Sequence, residues 1–482
     1  MNKHTIIRLA APALLALPAA AAAQTAPPPP LEQRPIRFPQ FAESELPNGL
    51  RLLVVENHAL PIANLNLYVR SGAAADPADK LGLAQMTAAV LDKGTATRTA
   101  VEIAETVEGV GGTMNAGADQ DNITVSVGVL SDQLPLAFEL LSDVVLRPSF
   151  PQEEIETSRA QQLAALRAAL GNPGTLASRM FDRQVFGASH PYGRRSTPQT
   201  VAALTRDDLV AFHREHFVPS NALLVVSGDV TPAQAREMAM RWLGEWQGGA
   251  APRDAYPAPP ARERAEIYFV HRPNSVQSSL YVGNAGLAPD DPDYYAVQVL
   301  NMVLGLSGDS RLEEILRGQH GWTYGARSRF SRLLGGGAFS ASSDVRSAVT
   351  DSALSELMVQ LRRIRDEPVP QAELDRAKSF LVASFPATME TPAQAAGLLA
   401  TTRLLGLPPE HLTQYAQRVG AVTSADVQRV AREYLHPDRA VLVVVGDAAQ
   451  VLEKIRSIAP VSVFDVEGRP LDPATLQPAT GG

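Results

Sequence analysis

The alternation of hydrophobic and polar residues along the chain predicts a mixture of strands and helices. "LRLLVVEN" and "ITVSVGVL" are rich in branched apolar residues over strand lengths, which favours strands. "ADKLGLAQMTAAVLDKG" and "PLAFELLSDVVL" carry apolar residues at helical spacing. Pro47-Asn48-Gly49 indicates a hairpin-type turn just before the first strand. The pattern therefore predicts an α+β fold.

One part of this pattern occurs twice. "LTRDDLVAFHREHFVPSNALLVVSGDV" aligns without gaps with "VTSADVQRVAREYLHPDRAVLVVVGDA", so that Thr205 pairs with Thr423 and Gly228 with Gly446, 218 residues apart. Each copy predicts a threonine-capped amphipathic helix, a turn with proline, and an apolar strand ending at Gly-Asp. The repeat indicates two homologous halves.

The segment between the copies suggests where the halves meet. "WQGGAAPRDAYPAPPARER", residues 246–264, is rich in glycine, proline and alanine and has no period, as expected of a linker between independently packed halves. The N-terminal half is then predicted over 43–245 and the C-terminal half over 265–464. The remaining segment, 465–482, is predicted to be a loose tail.

The N-terminus has the features of a secretory signal. Lys3 and Arg8 precede a short apolar run that ends in small residues at Ala23, which predicts a signal peptide over 1–23. The alternative, an uncleaved membrane anchor, is disfavoured because prolines interrupt the run and it falls short of the roughly 20 apolar residues of a membrane helix. Residues 24–42 are predicted to be a proline-rich leader. We expect a periplasmic or secreted protein with no membrane segment after cleavage.

Composition narrows the classes of function. The chain has 482 residues, of which 45% are hydrophobic and 20% charged, as in soluble globular proteins. A net charge of -8 gives no general basic surface for nucleic acid. The absence of cysteine from the sequence excludes disulfides, thiolate metal ligands and a cysteine nucleophile.

Several segments together carry a family resemblance. "GLAQMTAAVLDKGT", "GGTMNAGADQDNITVSVGVL" and the repeated segment occur in the order in which similar segments occur in pitrilysin-type zinc peptidases of the processing-peptidase branch. The chain resembles this family over nearly its whole mature length. The resemblance implies two halves, each a mixed or antiparallel sheet covered by helices, that form a clam-like peptidase chamber.

The metal motif of that family is degenerate in this chain. The family helix reads G-L-A-H-x-x-E-H, the inverted zincin motif. The matching residues here are Gln85, Ala88 and Ala89, and the position of the third ligand falls near Ala165. Alanine has no lone pair, and a lone glutamine carbonyl cannot replace two imidazoles and a carboxylate on Zn²⁺. The resemblance therefore implies no cofactor in this chain, and zinc in a partner subunit.

Another histidine pair has metal-like spacing. "HREH" places His213 and His216 three residues apart, but the repeat has Ala431 and Tyr434 at these positions, so we expect a solvated helix face. "LSGDSR" lacks the strand-elbow-helix pattern of a serine hydrolase. "LLGGGAFSA" lacks the lysine of a phosphate loop.

The family's second-half residues are retained. Active members carry an arginine and a tyrosine that face the zinc, and "GDSRLEEILRGQHGWTYGARS" places Arg311 and Tyr324 at those positions. A guanidinium is suited to clamp substrate oxygens, and a phenol can donate to an oxyanion. The alternative is structural, with Arg311 in a salt bridge and Tyr324 packed with its hydroxyl in water.

Two functional hypotheses follow from the resemblance. In the first, the chain is the non-zinc subunit of a heterodimeric peptidase, inactive alone and active with a homologous subunit that carries the zinc motif. Peptide substrate would add as a strand at a sheet edge near Gly112 and Asn115. In the second, the chain is an inactive structural or assembly homologue. A third possibility, a self-sufficient peptidase, lacks the ligands.

Overall fold

The computed structural model describes residues 38–252 and 255–476. The predicted signal peptide and most of the predicted leader lie outside these residues. In the described part of the chain, no helix combines the length and the apolar character needed to cross a membrane.

The described residues form two six-stranded sheets with helices packed against them. The strands are β1 (Phe41–Glu45), β2 (Arg51–Glu56), β3 (Ile62–Val69), β4 (Thr113–Ala118), β5 (Ile123–Leu130), β6 (Ala222–Gly228), β7 (Glu266–His271), β8 (Gln277–Ala285), β9 (Thr323–Phe330), β10 (Ala338–Arg346), β11 (Val441–Gly446) and β12 (Val461–Phe464). The helices are α1 (Leu83–Leu91), α2 (Ala100–Glu108), α3 (Leu134–Leu146), α4 (Gln152–Leu170), α5 (Pro173–Phe186), α6 (Pro198–Ala203), α7 (Arg206–His216), α8 (Pro232–Leu243), α9 (Tyr294–Asn301), α10 (Arg311–Glu313), α11 (Thr350–Asp366), α12 (Gln371–Ser384), α13 (Pro392–Leu404), α14 (Glu410–Thr413), α15 (Tyr415–Ala421), α16 (Ser424–Tyr434) and α17 (Ala448–Ile455).

The two sheets have equivalent strand orders. The first is β1-β2-β6-β3-β5-β4 and the second is β12-β7-β11-β8-β10-β9. Strand β6 lies parallel to β2 and antiparallel to β3, and β11 lies parallel to β7 and antiparallel to β8. Gly228 and Gly446 end these equivalent strands. The predicted α+β fold with two homologous halves is confirmed.

Both copies of the repeated helix begin as predicted. The hydroxyl of Thr205 accepts from the backbone N–H of Asp208, and the carboxylate of Asp208 accepts in return from the backbone N–H of Thr205. Thr423 and Asp426 form the same capping box at the start of α16. Each box satisfies backbone donors that the first helical turn leaves free.

The halves exchange one helix each, and this corrects the prediction that they pack independently. Helix α5 from the N-terminal half packs on β8 and β11 of the second sheet, where its Ala177 and Phe181 join a buried cluster with Val443. Helix α13 from the C-terminal half packs on β2 and β6 of the first sheet. The apolar central strands β6 and β11 are buried because helices cover both faces of each sheet there.

Three boundaries also differ from the prediction. Strand β1 lies before the Pro47-Asn48-Gly49 turn and pairs with β2, so the fold begins inside the predicted leader. In the predicted linker, Trp246 is buried and its indole N–H donates to the backbone oxygen of Phe217. In the predicted loose tail, Leu471 donates its backbone N–H to Val463 of β12. Hydrogen bonding and burial therefore order these segments, although their composition indicated loops.

Candidate functional site

A buried carboxylate determines where helix α1 begins. Gly82 precedes the helix in a left-handed conformation, with φ of 102°, and has no side chain to act as a cap. Asp76 instead accepts from the backbone N–H groups of Gly82 and Ala84, at 2.7 and 2.8 Å. Burial raises the pKa of the Asp76 carboxyl to about 6, although these hydrogen bonds favour its charged form. The loop before α1 thus positions the helix that carries the degenerate motif.

The four degenerate positions of the family's metal site offer one donor group. Gln85 is exposed on α1, Ala89 is half-buried, and Ala88 is completely buried. Helix α4 packs against α1 and presents Ala165 to solvent. Among residues 38–252 and 255–476, no group of three or more histidine, aspartate or glutamate side chains could hold a metal. A single amide oxygen does not fit catalytic zinc, which needs several imidazole or carboxylate ligands.

The histidine pair on α7 faces the protein interior. The Nδ1 atom of His216 lies 2.7 Å from the hydroxyl oxygen of Ser71, and the Nε2 atom of His213 lies 2.8 Å from the backbone oxygen of Val145. Burial lowers the pKa of both imidazoles, which favours their neutral forms. The prediction of a solvated face was therefore wrong for His213 and His216, which support packing of α7, although Arg214 and Glu215 between them are exposed.

Arg311 is held in a buried ion pair. It begins α10, which lies between two π-helical segments, Met302–Leu306 and Glu314–Gln319. The π-helix is rare in proteins, and where it occurs it is often close to a functional site. Its Nε and Nη2 atoms donate to the two carboxylate oxygens of Glu373 on α12, at 3.0 and 2.6 Å. Its Nη1 atom is buried without a hydrogen-bond partner among the described residues. The guanidinium thus forms a salt bridge within the chain, as expected if the role of Arg311 is structural.

Tyr324 lies on the neighbouring strand β9 and, unlike Arg311, is exposed to solvent. It is 90% exposed, on β9 at the edge of the second sheet, so its ring is not packed as the structural interpretation expected. The backbone N–H of Ala326 donates to the Glu313 carboxylate at 2.9 Å, which ties β9 to α10. The structure therefore places Arg311 and Tyr324 on adjoining elements, with the guanidinium buried and the phenol in solvent.

The predicted peptide-binding edge contains one accessible residue and one buried residue. Strand β4 is the edge of the first sheet, and Asn115 on it is exposed. Gly112 is buried before the strand, and its N–H donates to the backbone oxygen of Val107. A Cβ atom at Gly112 would lie 2.9 Å from the oxygen of Gly128. Gly112 therefore serves the turn into β4, and peptide binding at this edge stays a prediction.

A cleft that the sequence analysis missed lies between α5 and the open face of the second sheet. It has a volume of about 590 Å³ and is lined by Phe181 and Phe186 of α5 on one side and by Arg327 and Arg329 of β9 on another. The alternation of Arg327, Ser328 and Arg329 directly after the Tyr324 motif was the available signal. For Glu373, which pairs with Arg311 across 62 residues, the sequence offered none.

Comparisons with known proteins agree over both halves. The family model described as insulinase (peptidase family M16) matches residues 51–188, and the model described as the peptidase M16 inactive domain matches residues 203–381. An uncharacterized zinc protease of Streptomyces coelicolor is 26% identical over 81% of this chain and 86% of its own length.

Two further relatives have names that describe an inactive or non-peptidase member of this family. A Helicobacter pylori protein named as a non-peptidase homolog is 26% identical over 73% of this chain and 82% of its own length. The crystal structure of a peptidase M16 inactive domain from Pseudomonas fluorescens superposes with a TM-score of 0.80 and 28% identity, and covers 85% of this chain and 99% of that one.

Proposed function

Because the chain belongs to the insulinase family of peptidases, we propose that it is the non-zinc subunit of a two-chain peptidase and acts on peptides together with a homologous zinc-binding subunit. The exposure of Tyr324 carries the proposal. A tyrosine that is 90% exposed on a sheet edge gains little from burial within its own chain. Its position is explained if the ring meets a substrate or a partner.

The chemistry assigned to this chain is substrate positioning and charge stabilisation. The phenol of Tyr324 can donate to an oxygen that becomes negative during peptide cleavage. The carboxylate of Glu373 accepts from the Nε and Nη2 atoms of Arg311. For these atoms to contact substrate, a substrate oxygen has to replace that carboxylate. Asn115 and the free edge of β4 would hold extended peptide by strand addition. Zinc would belong to the partner alone.

We propose that this complex acts in the periplasm or outside the cell, and the predicted signal peptide supports the proposal. The chain has no cysteine. This is compatible with either location, because domains with a core of this size do not require disulfides for stability.

The decisive experiment uses the chain purified together with a zinc-motif homologue. Tyr324→Phe removes one hydroxyl from an exposed ring, so the complex should form normally while kcat for peptide cleavage falls by roughly 10²-fold, the usual loss for one oxyanion donor. Tyr434→Phe is the matched control, because Tyr434 ends α16 and its hydroxyl donates to Asp291 and Asp293 of the same chain. A Tyr324→Phe complex that cleaves at the unaltered rate contradicts the proposal.

A second candidate function is an inactive structural or assembly subunit. The observation that favours it is the Arg311–Glu373 ion pair, in which two nitrogen atoms of the guanidinium already donate to a carboxylate of the same chain. This function predicts that complex formation, and not peptide cleavage, responds to changes in this chain. Unaltered cleavage by a complex that carries both Arg311→Ala and Tyr324→Phe would favour it.

A further inference from the structure

The cleft between α5 and the second sheet has a charge opposite to that of the whole chain. Its charged lining consists of Arg195, Arg327, Arg329 and Asp182. Arg195 forms an ion pair with Asp182, whose charge also acts on Arg329, so three arginines against one aspartate leave two positive charges in the lining. A positive cleft in a chain of net charge -8 concentrates anionic ligands near it.

The two arginines on β9 are available to a ligand. Both side chains are exposed, and neither makes a hydrogen bond or ion pair with any other described residue. Being two positions apart on one strand, they project from the same face of the sheet. Their cross-strand neighbours are Ser342 and Ser340, which also line the cleft and do not compete as anions.

The repeat shows that the fold does not need these arginines. The equivalent edge strand of the first sheet, β4, reads Thr-Met-Asn-Ala-Gly-Ala and carries no charge. The open face beside it is formed by uncharged polar residues such as Asn66 and Ser126, whose side chains bond each other at 2.6 Å. Since an uncharged strand serves the same architectural position, the charges on β9 have another cause.

We propose that this cleft binds acidic segments of extended peptides, with Arg327 and Arg329 as the residues that determine specificity. Side chains on one face of a strand repeat about every 6.6–6.8 Å, and acidic residues at alternate positions of an extended peptide repeat at the same interval. Each guanidinium can take one carboxylate in a bidentate pair. Leu306, which is 48% exposed and also lines the cleft, offers an apolar surface to the intervening side chains. The inference rests on the proposed function for its choice of a peptide as the ligand.

The test measures binding to the full chain without any partner subunit. The probe is a fluorescein-labelled extended peptide with glutamate at alternate positions, followed by fluorescence anisotropy, and the comparison peptides carry glutamine or lysine there. The chain should bind the glutamate peptide best, and affinity should fall with added salt. Arg327→Gln with Arg329→Gln should weaken binding about tenfold, as expected for the loss of two charge pairs of about 0.7 kcal/mol each.

The chain offers a control pair with the same change in net charge. Arg214 and Arg432 are exposed equivalents in the repeated helix and do not line the cleft, so Arg214→Gln with Arg432→Gln should leave binding unchanged. An equal loss in this control, or equal binding of the glutamine peptide, overturns the proposal. Tighter binding of a single-stranded oligonucleotide of matched charge would assign the cleft to nucleic acid and also overturn it. Since cleavage is not measured, failure here is distinct from failure of the two-chain peptidase.

Discussion

At the level of single residues, Asp76 links the stability of the fold to pH. Burial raises the pKa of its carboxyl in the folded chain to about 6, above the reference value of 3.8. Between about pH 6 and pH 3.8, the Asp76 carboxyl is therefore protonated more often in the folded state than in the unfolded state. The contribution of Asp76 to the free energy of unfolding increases as the pH falls through that window. Relative to Asp76→Asn, the unaltered chain should gain about 2 kcal/mol between about pH 7.5 and about pH 4.5. Urea unfolding at each pH measures this gain.

The control for that experiment is Asp79→Asn in the same loop. Asp79 is exposed, so its replacement should preserve the pH dependence of the unaltered chain. The same pH dependence in the Asp76→Asn variant would show that another group is responsible.

The Arg311–Glu373 pair gives a second prediction at this scale. Glu373→Ala leaves a guanidinium that is 10% exposed without its counter-charge, and this should lower the free energy of unfolding by about 3 kcal/mol. Replacing both residues, as Arg311→Met with Glu373→Leu, removes the buried charge and should recover most of the loss. The midpoints of urea unfolding compare the two variants. A double variant as unstable as Glu373→Ala would show that the pair stabilises the fold through more than charge compensation.

At the level of elements, the two capping boxes should contribute equally. Thr205→Ala and Thr423→Ala each remove the hydroxyl that accepts a backbone N–H at a helix start, which typically costs about 1 kcal/mol. The two helices lie in different halves, so the costs should add in the double variant. Serine at either position keeps the acceptor and should restore stability. Calorimetry of these five variants tests this, and an alanine double variant no less stable than either alanine single variant would contradict it.

The elements also show which features could be predicted from the sequence. Thr205, Thr423 and the apolar strands β6 and β11 follow local rules of capping and burial, and they lie where the pattern places them. Strand β1 was missed because five residues of mixed polarity become a strand only by pairing with β2. Arg311 and Tyr324 could be located from a motif, but the carboxylate that turns the guanidinium inward comes from a distant helix. Contacts across long sequence separations account for what the pattern could not supply.

At the level of the whole molecule, the exchange of α5 and α13 should make the halves dependent on each other. Expressed alone, residues 38–252 would leave β2 and β6 without the cover of α13 and would expose the apolar side of α5. We expect this fragment, and the fragment 255–476, to aggregate or to unfold without a cooperative transition. Expressed together, they should associate and unfold in one transition, as measured by calorimetry and size-exclusion chromatography. Stable, monomeric folding of either fragment alone would contradict the prediction.

The same exchange has a consequence for the order in which the protein is made. Synthesis runs from the N-terminus, so the first sheet has to wait for residues 392–404 before one of its faces is covered. Until then the N-terminal half lacks part of the burial that would make it stable. In the export that we propose for this chain, a half that cannot be completed early would stay unfolded and competent for transport. The late synthesis of α13 would then delay folding of the first sheet until most of the chain has been made.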